Sequence, residues 1–181
     1  MKFIPTQIPS RLASCAWLLA IALWLGQGCG RPMTKMDLNI AKEDFERTVR
    51  LYHLPSADAT GSLRLDLLKK AAAGYLSVVK RFPQENRWSA QALRSLGNVY
   101  VELGQPEEAL EAFTQVGVKF CDEDWEVLQA WKSAADLSWS AGRAETARTF
   151  DRRIVERFSV SNAPPIIRGI VASVRRRSTA L

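Results

Sequence analysis

The stretch ALRSLGNVYVELG, residues 92–104, decides the fold of this 181-residue chain. Its apolar residues recur at intervals of three and four, at positions 92, 93, 96, 99, 100 and 103. That spacing places them on one side of an α-helix and is incompatible with the alternation that a strand needs. Gly104 can adopt the positive φ that ends a helix, and Pro106 suits the first turn of the next one. The stretch therefore predicts a tight helical hairpin.

Small and large residues continue through this hairpin at regular intervals, in the order Leu93, Leu96, Gly97, Tyr100, Gly104, Ala109 and Phe113. The pattern resembles the tetratricopeptide repeat, a pair of antiparallel helices about 34 residues long. In that family a small residue allows the two helices to pack closely, and Gly97 occupies that position. The resemblance implies repeats stacked into an α-solenoid, whose concave face is suited to holding another protein rather than to breaking bonds.

Partial copies of the pattern lie on both sides of the hairpin. Upstream, the second helix and terminal proline of a repeat are matched by Ala71, Tyr75, Val78 and Phe82-Pro83. Downstream, most positions agree, namely Trp131, Ala135, Gly142, Ala147 and Ile154. Asp151 departs from the family, which has a large apolar residue there. Gly104 and Gly142 are 38 residues apart, so we expect a few additional residues around Cys121 to Asp124.

Helical periodicity extends beyond these repeats in both directions. Before them, we predict a degenerate first helix from about Asp37 to His53, a loop at Leu54 to Gly61, and a helix starting near Ser62. After them, a last helix can cap the array with an apolar side formed by Ile166, Ile167, Ile170, Val171 and Val174. The prediction is an all-α domain over residues 37–181, an α-solenoid of about three antiparallel helix pairs with a C-terminal capping helix.

The amino terminus carries an export signal. Lys2 and Arg11 precede the apolar run 12–25, which is too short for a comfortable membrane span and suits the core of a secretory signal peptide. The run ends in Gly26-Gln27-Gly28-Cys29, which resembles the cleavage site of bacterial lipoproteins. We assign residues 1–28 to a signal peptide and 29–36 to a short linker, with Cys29 as the lipidated residue. Cleavage without lipidation and retention as an uncleaved anchor are the alternatives.

The chain is basic, with a formal net charge of +6 at pH 7. Four of its arginines lie in the last helix, where the helix dipole favours them, so we expect a solvated helix end; contact with anionic lipid headgroups or an acidic partner is the alternative. They are Arg168, Arg175, Arg176 and Arg177. Nucleic-acid binding is not indicated, because the other basic residues are interspersed with carboxylates.

The sequence predicts no catalytic residue, metal site, cofactor or small-molecule substrate. His53, the only histidine, lies at the predicted end of a helix, where a capping or surface role is favoured. The carboxylates of Glu107-Glu108-x-x-Glu111 and Asp122-Glu123-Asp124 open predicted helices, where negative charge is stabilising. Cys121 follows Phe120 at a helix end, and we expect it to serve as a small apolar residue.

The resemblance implies a binding groove, because the first helix of each pair faces the concave side in this family. Seven residues are then expected to line it: Gln91, Arg94, Asn98, Gln129, Lys132, Asp136 and Trp139. Arg94 and Asn98 stand where related domains clamp a peptide carboxylate, whereas Ser133 replaces a second asparagine and Asp136 would repel that anion. An ordinary solvated helix face is therefore favoured over a specific clamp. Most tryptophans are expected in packing, and one exposed in the groove would anchor a partner.

Together these features predict an adaptor that binds a protein or peptide on the periplasmic side of a bacterial membrane, with the outer membrane favoured. A soluble periplasmic or secreted protein is the alternative location. The lipoprotein-like start and Phe82-Pro83 also resemble the helical lipoproteins that help to assemble outer-membrane β-barrels. Two other functions stay open: a structural spacer, or an envelope enzyme such as a peptidoglycan-active hydrolase, which needs paired buried carboxylates in a cleft.

Overall fold

A computed structural model describes residues 33–179, which fold into helices packed one after another as antiparallel neighbours. The predicted signal peptide and Cys29 lie outside the described residues. In chain order the elements are α1 (Lys35–Thr48), a π-helical turn (Val49–His53), α2 (Leu54–Asp58), α3 (Gly61–Arg81), α4 (Asn86–Glu102), α5 (Pro106–Lys119), α6 (Asp124–Ser140), α7 (Ala144–Phe158) and α8 (Pro165–Thr179).

We call α1, the π turn and α2 together the first helix, which runs from Lys35 to Asp58 and is longer than predicted at both ends. It begins at a capping box in which Thr34 Oγ1 accepts from the Asp37 N–H at 3.1 Å while the Thr34 N–H donates to Asp37 Oδ2 at 2.9 Å. The predicted loop at Leu54 to Gly61 is wrong, because the backbone stays helical through the π turn and α2. Proline is tolerated in the first turn of a helix, which is where Pro55 lies. Only Ala59 and Thr60 separate α2 from α3.

The middle of the chain recurs with a constant spacing of 38 residues. Helices α4 and α5 start at Asn86 and Pro106, and α6 and α7 start at Asp124 and Ala144. Gly104 and Gly142 end α4 and α6 with φ of 70° and 71°, as their positions predict. The loops before α4 and α6 each have four residues, 82–85 and 120–123. The second joint, where we expect additional residues, is thus as long as the first.

Glycines bring successive helices close together. A Cβ at Gly97 of α4 would lie 2.5 Å from Cε1 of Phe113 on α5, so the predicted close approach at this residue is confirmed. The same arrangement occurs twice more, where Gly74 of α3 receives Thr48 of α1 and Gly117 of α5 receives Trp131 of α6. Most of the repeat signature lies in the core, namely Leu93, Leu96, Gly97, Ala109 and Phe113, whereas Tyr100 is half-buried.

The last helix packs against α7 with a narrower apolar side than predicted. Val171 and Val174 are buried, and Ile167 and Ile170 pack at the edge of the core. Ile166 is 60% exposed instead of buried. Because each residue advances about 100° around a helix, Ile166 points away from the side that its neighbour Ile167 presents to α7.

The expectation of a packed Cys121 is also wrong, since its side chain is exposed. Phe120 takes the buried position at the end of α5, and the turn that follows places Cys121 outward. Arg157 of α7 donates to the Cys121 carbonyl and forms an ion pair with Asp124 at 2.6 Å. None of the helices within residues 33–179 is long and apolar enough to cross a bilayer.

Candidate functional site

An open cleft of about 560 Å³ lies along α4 and α6, which contact each other although α5 separates them in sequence. Its apolar walls include the buried ring of Phe113 and the side chains of Val101 and Leu137. Its polar part consists of side chains that can hydrogen-bond. The complete lining is His53, Asn98, Val101, Glu102, Phe113, Ser133, Asp136, Leu137 and Ser140.

Two neutral polar side chains in the cleft lack protein partners. Asn98 on α4 and Ser133 on α6 are half-buried, and neither side chain hydrogen-bonds to another residue in the range 33–179. An asparagine side chain offers both an N–H donor and a carbonyl acceptor, and a serine hydroxyl can act either way. A half-buried polar group has lost some of its hydrogen bonds to water. A bound partner that hydrogen-bonds to it therefore contributes favourably to the free energy of binding.

A chain of hydrogen bonds forms one wall of the cleft. Nδ1 of His53 lies 2.7 Å from the Tyr75 hydroxyl, and Nε2 lies 3.3 Å from Glu102 Oε1. The other oxygen of Glu102 accepts from Arg64 at 2.8 Å. Burial raises the pKa of Tyr75, against a lowering hydrogen bond from Ser95, so the phenol stays neutral and can donate to His53. His53 therefore links the first helix to α3 and α4, a larger role than the predicted cap.

The charged groups of the cleft are compensated. Asp136 accepts from Lys132 at 2.7 Å and also pairs with Arg177, which reaches it from α8. Glu102 is shared between Arg64 and His53. The cleft thus presents no uncompensated charge among the residues that the structure describes, and it favours a ligand whose recognised part is polar but uncharged.

Two of the seven predicted groove residues, Asn98 and Asp136, line this cleft. Arg94 instead pairs with Glu126 of α6, with Nε 2.5 Å from Oε2, and both side chains are largely buried. Its charge is therefore already satisfied, which argues against the carboxylate clamp. The remaining predicted residues are half-buried outside the lining: Gln91, Gln129, Lys132 and Trp139.

Trp139 belongs to a separate polar cluster around Asp151, which is 1% exposed. The Asp151 carboxylate accepts hydrogen bonds from Nε (3.2 Å) and Nη2 of Arg177. It also accepts hydrogen bonds from Trp139 Nε1 at 3.1 Å and Ser178 Oγ at 3.3 Å. The guanidinium groups of Arg148 and Arg177 lie 5.6 and 6.0 Å from the Trp139 ring. We call Asp151, Arg177, Trp139 and Ser178 the Asp151 cluster. Trp139 is therefore held by the fold rather than presented to a partner.

The other buried carboxylate among the described residues, Glu85, caps α4. Its Oε2 accepts the N–H groups of Trp88 at 2.5 Å and Ser89 at 2.8 Å. Glu123 occupies the equivalent position before α6, 38 residues later, without a side-chain cap bond. Burial, followed by the nearby charge of Glu85, raises the pKa of Glu123. Glu85 thus stabilises a helix start, and residues 33–179 contain no group of three or more acidic, histidine or cysteine side chains able to hold a metal ion.

Replacing Glu123 with glutamine should stabilise the protein at pH 7. Because the pKa of Glu123 is raised in the folded protein, its charged form destabilises the fold. This loss of stability is fully present above the folded-state pKa and disappears as the pH falls below the ordinary pKa of a glutamate. Thermal unfolding at pH 7 and at pH 4 should show a higher Tm for the variant only at pH 7. Glu43→Gln changes an exposed residue and serves as the control. Its Tm difference from the unmodified protein should be the same at both pH values. Equal Tm gains at both values would contradict the prediction.

Sequence reasoning found Asn98 and Asp136 through the spacing of the repeat, and it missed the rest of the lining. His53 belongs to a helix about 45 residues earlier in the chain, so no local pattern connects it to Asn98. The Arg94 and Glu126 pair, separated by 32 residues, could have been suspected from opposite charges on neighbouring first helices. Neither a scan against protein-family models nor a search of curated proteins gives a match to this chain.

Proposed function

We propose that this chain is a non-catalytic adaptor that binds an extended peptide segment of another protein in the cleft between α4 and α6. The observation that carries the proposal is the pair of unpartnered polar side chains, Asn98 and Ser133, in an open cleft with an apolar wall. An extended peptide has free backbone N–H and C=O groups, which match an amide and a hydroxyl. The compensated charges around the cleft favour recognition of such a neutral backbone.

The fold assigned to this adaptor is an α-solenoid of the tetratricopeptide type. Three helix pairs compose it: the first helix with α3, α4 with α5, and α6 with α7, followed by α8 as a cap. The 38-residue recurrence of helix starts, the helix-ending Gly104 and Gly142, and the close approach at Gly97 support this interpretation. In such an array the cleft along α4 and α6 lies on the concave face.

We also propose that the adaptor works in the bacterial cell envelope as a lipoprotein anchored through Cys29, on the periplasmic side of the outer membrane. The signal-like residues 1–28 and the cysteine that follows them support this location. Assembly of outer-membrane proteins is the specific process that we would test first, because the lipoprotein-like start and Phe82-Pro83 resemble the helical lipoproteins of that process.

Site-specific photocrosslinking tests the adaptor function directly. A photoreactive benzoylphenylalanine at position 140, an exposed residue of the cleft lining, should give a defined adduct in cells, whereas the same residue at exposed position 149 on α7 should not. Asn98→Ala should reduce the yield or affinity about tenfold, because it removes hydrogen bonds to a half-buried partner. The control Asn39→Ala alters an exposed asparagine on α1 and should change nothing.

The same experiment separates the alternatives. A structural spacer predicts no cleft-dependent adduct, and it predicts that Asn98→Ala leaves every interaction intact. Equal adducts from positions 140 and 149, or full binding by Asn98→Ala, would refute the adaptor. An enzyme predicts turnover that is lost on mutation of a carboxylate, and the two buried carboxylates, Glu85 and Asp151, are both engaged in structural contacts.

A further inference from the structure

Charge is unevenly distributed along the described residues. From Met33 to Arg143 the acidic residues slightly outnumber the basic ones, giving a formal net charge of −2. Residues 144–179, which contain α7 and α8, carry eight arginines and three carboxylates, a formal net charge of +5. One of these carboxylates, Asp151, is buried against Arg177. The net positive charge of the described residues is thus carried by the last two helices.

Several of these arginines share one continuous surface. A cleft of about 390 Å³ is lined by Val160 and, from α8, by Arg168, Arg175 and Arg176. Arg175 also lines a second cleft of about 530 Å³, together with Arg148 and Arg152 of α7. We call these six residues, Arg148, Arg152, Val160, Arg168, Arg175 and Arg176, the arginine surface. Glu156 also lines the second cleft, so the surface is strongly but not uniformly positive.

The side-chain chemistry of the arginine surface favours phosphate. All eight basic residues of this segment are arginine and none is lysine. The planar guanidinium can donate two parallel hydrogen bonds to a phosphate group, whereas a lysine ammonium acts as a point charge. Arg152 has no ion pair with any residue between 33 and 179. Arg148 pairs only with Glu145, a carboxylate that is itself 90% exposed.

An exposed apolar residue adjoins these arginines. Val160 is 53% exposed and lines the same cleft as Arg168, Arg175 and Arg176. Apolar side chains next to basic ones are the combination by which peripheral helices enter the headgroup region of a bilayer. An acidic protein surface would match the arginines equally well but would leave Val160 without an apolar environment.

We infer that the arginine surface docks onto a membrane that contains anionic phospholipid, with the arginines contacting lipid phosphates and Val160 inserted at the interface. This contact is independent of the cleft between α4 and α6 and of any lipid on Cys29. It orients the chain, because docking through α7 and α8 leaves α4 to α6 accessible to a peptide partner.

Vesicle sedimentation with the Cys29→Ser chain tests the inference without a covalent anchor. The chain should bind vesicles containing phosphatidylglycerol at 50 mM salt, bind much less at 500 mM salt, and not bind pure phosphatidylcholine vesicles. Arg152→Gln with Arg176→Gln should weaken binding about 25-fold, roughly fivefold for each arginine. Arg50→Gln with Lys80→Gln removes the same charge from exposed positions on the π turn and α3, and it should leave binding unchanged.

A second variant distinguishes a bilayer from an acidic polypeptide. Val160→Ser should weaken vesicle binding about fivefold while leaving its salt dependence intact. Unchanged binding by this variant would overturn membrane docking in favour of a purely ionic contact. If Arg152→Gln with Arg176→Gln and Arg50→Gln with Lys80→Gln weakened vesicle binding equally, net charge alone would explain the binding. That result would overturn docking through the arginine surface. Binding to polyglutamate but not to vesicles would assign the surface to an acidic protein.

Discussion

Replacing Arg177 with methionine should lower the free energy of unfolding by about 3 kcal/mol. Asp151 is 1% exposed, and Arg177 supplies its ion pair, so the variant leaves a carboxylate buried with only Trp139 and Ser178 as partners. Breaking a buried pair from one side costs about 3 to 5 kcal/mol, and we take the lower value because Arg177 itself is 30% exposed. Urea unfolding followed by circular dichroism measures the effect.

Two further variants isolate the cause of this loss. Arg176→Met removes the same charge from the adjacent exposed residue, and it should change the free energy of unfolding by less than about 0.5 kcal/mol. Asp151→Asn combined with Arg177→Met removes the buried charge while keeping an acceptor for Trp139, and it should recover most of the stability. A double variant as unstable as Arg177→Met alone would show that lost packing, rather than an uncompensated carboxylate, causes the effect.

Replacing Gly97 with leucine should cost about 1 to 3 kcal/mol of stability, because it overfills the contact between α4 and α5. A Cβ alone would lie 2.5 Å from the fully buried ring of Phe113, and leucine adds three more carbons. Even Gly97→Ala should destabilise, although alanine is the better helix former by about 1 kcal/mol. Thermal unfolding is the measurement, and a normal Tm for Gly97→Leu would contradict the assigned contact.

Gly169 in α8 provides the matched control. It is also a glycine inside a helix, but a Cβ there would meet nothing within 4 Å. Gly169→Ala should therefore stabilise the protein by about 0.4 to 1 kcal/mol. The opposite signs expected at Gly97 and Gly169 separate steric overlap from helix propensity. Replacing the opposing Phe113 with a smaller residue makes room for a Cβ at position 97. The loss of stability in Gly97→Ala with Phe113→Leu should therefore be smaller than the sum of the losses in the two single variants.

Local periodicity was sufficient to predict most of the helices from the sequence. The positions of Gly104, Pro106 and Gly142 correctly located the ends of α4 and α6 and the start of α5, because these residues act on their own backbone. The predicted loop at Leu54 to Gly61 failed for a related reason. A proline breaks a helix only when it lies beyond the first turn, and Pro55 stands in the first turn of α2.

The candidate site was less accessible from sequence, because it depends on contacts between distant segments. Asn98 and Asp136 were found since each belongs to a periodic polar stripe. Nothing local indicates that His53 reaches the same cleft, or that Arg177 reaches across to Asp136. The sequence predicts that the last arginines are solvated at a helix end. The Arg177 side chain instead points inward and pairs with Asp151, which lies 26 residues earlier.

The Asp151 cluster also determines how the stack of helices can end. Asp151 stands 38 residues after Phe113, so a buried carboxylate occupies the place where the preceding pair has an aromatic ring. Any helix that covers α7 must place a basic side chain beside Asp151, because Asp151 would otherwise be a buried, unpaired charge. The helix α8 meets this requirement with Arg177, so a helix without a basic residue at that position could not replace it as the cover of α7 without burying an unpaired charge.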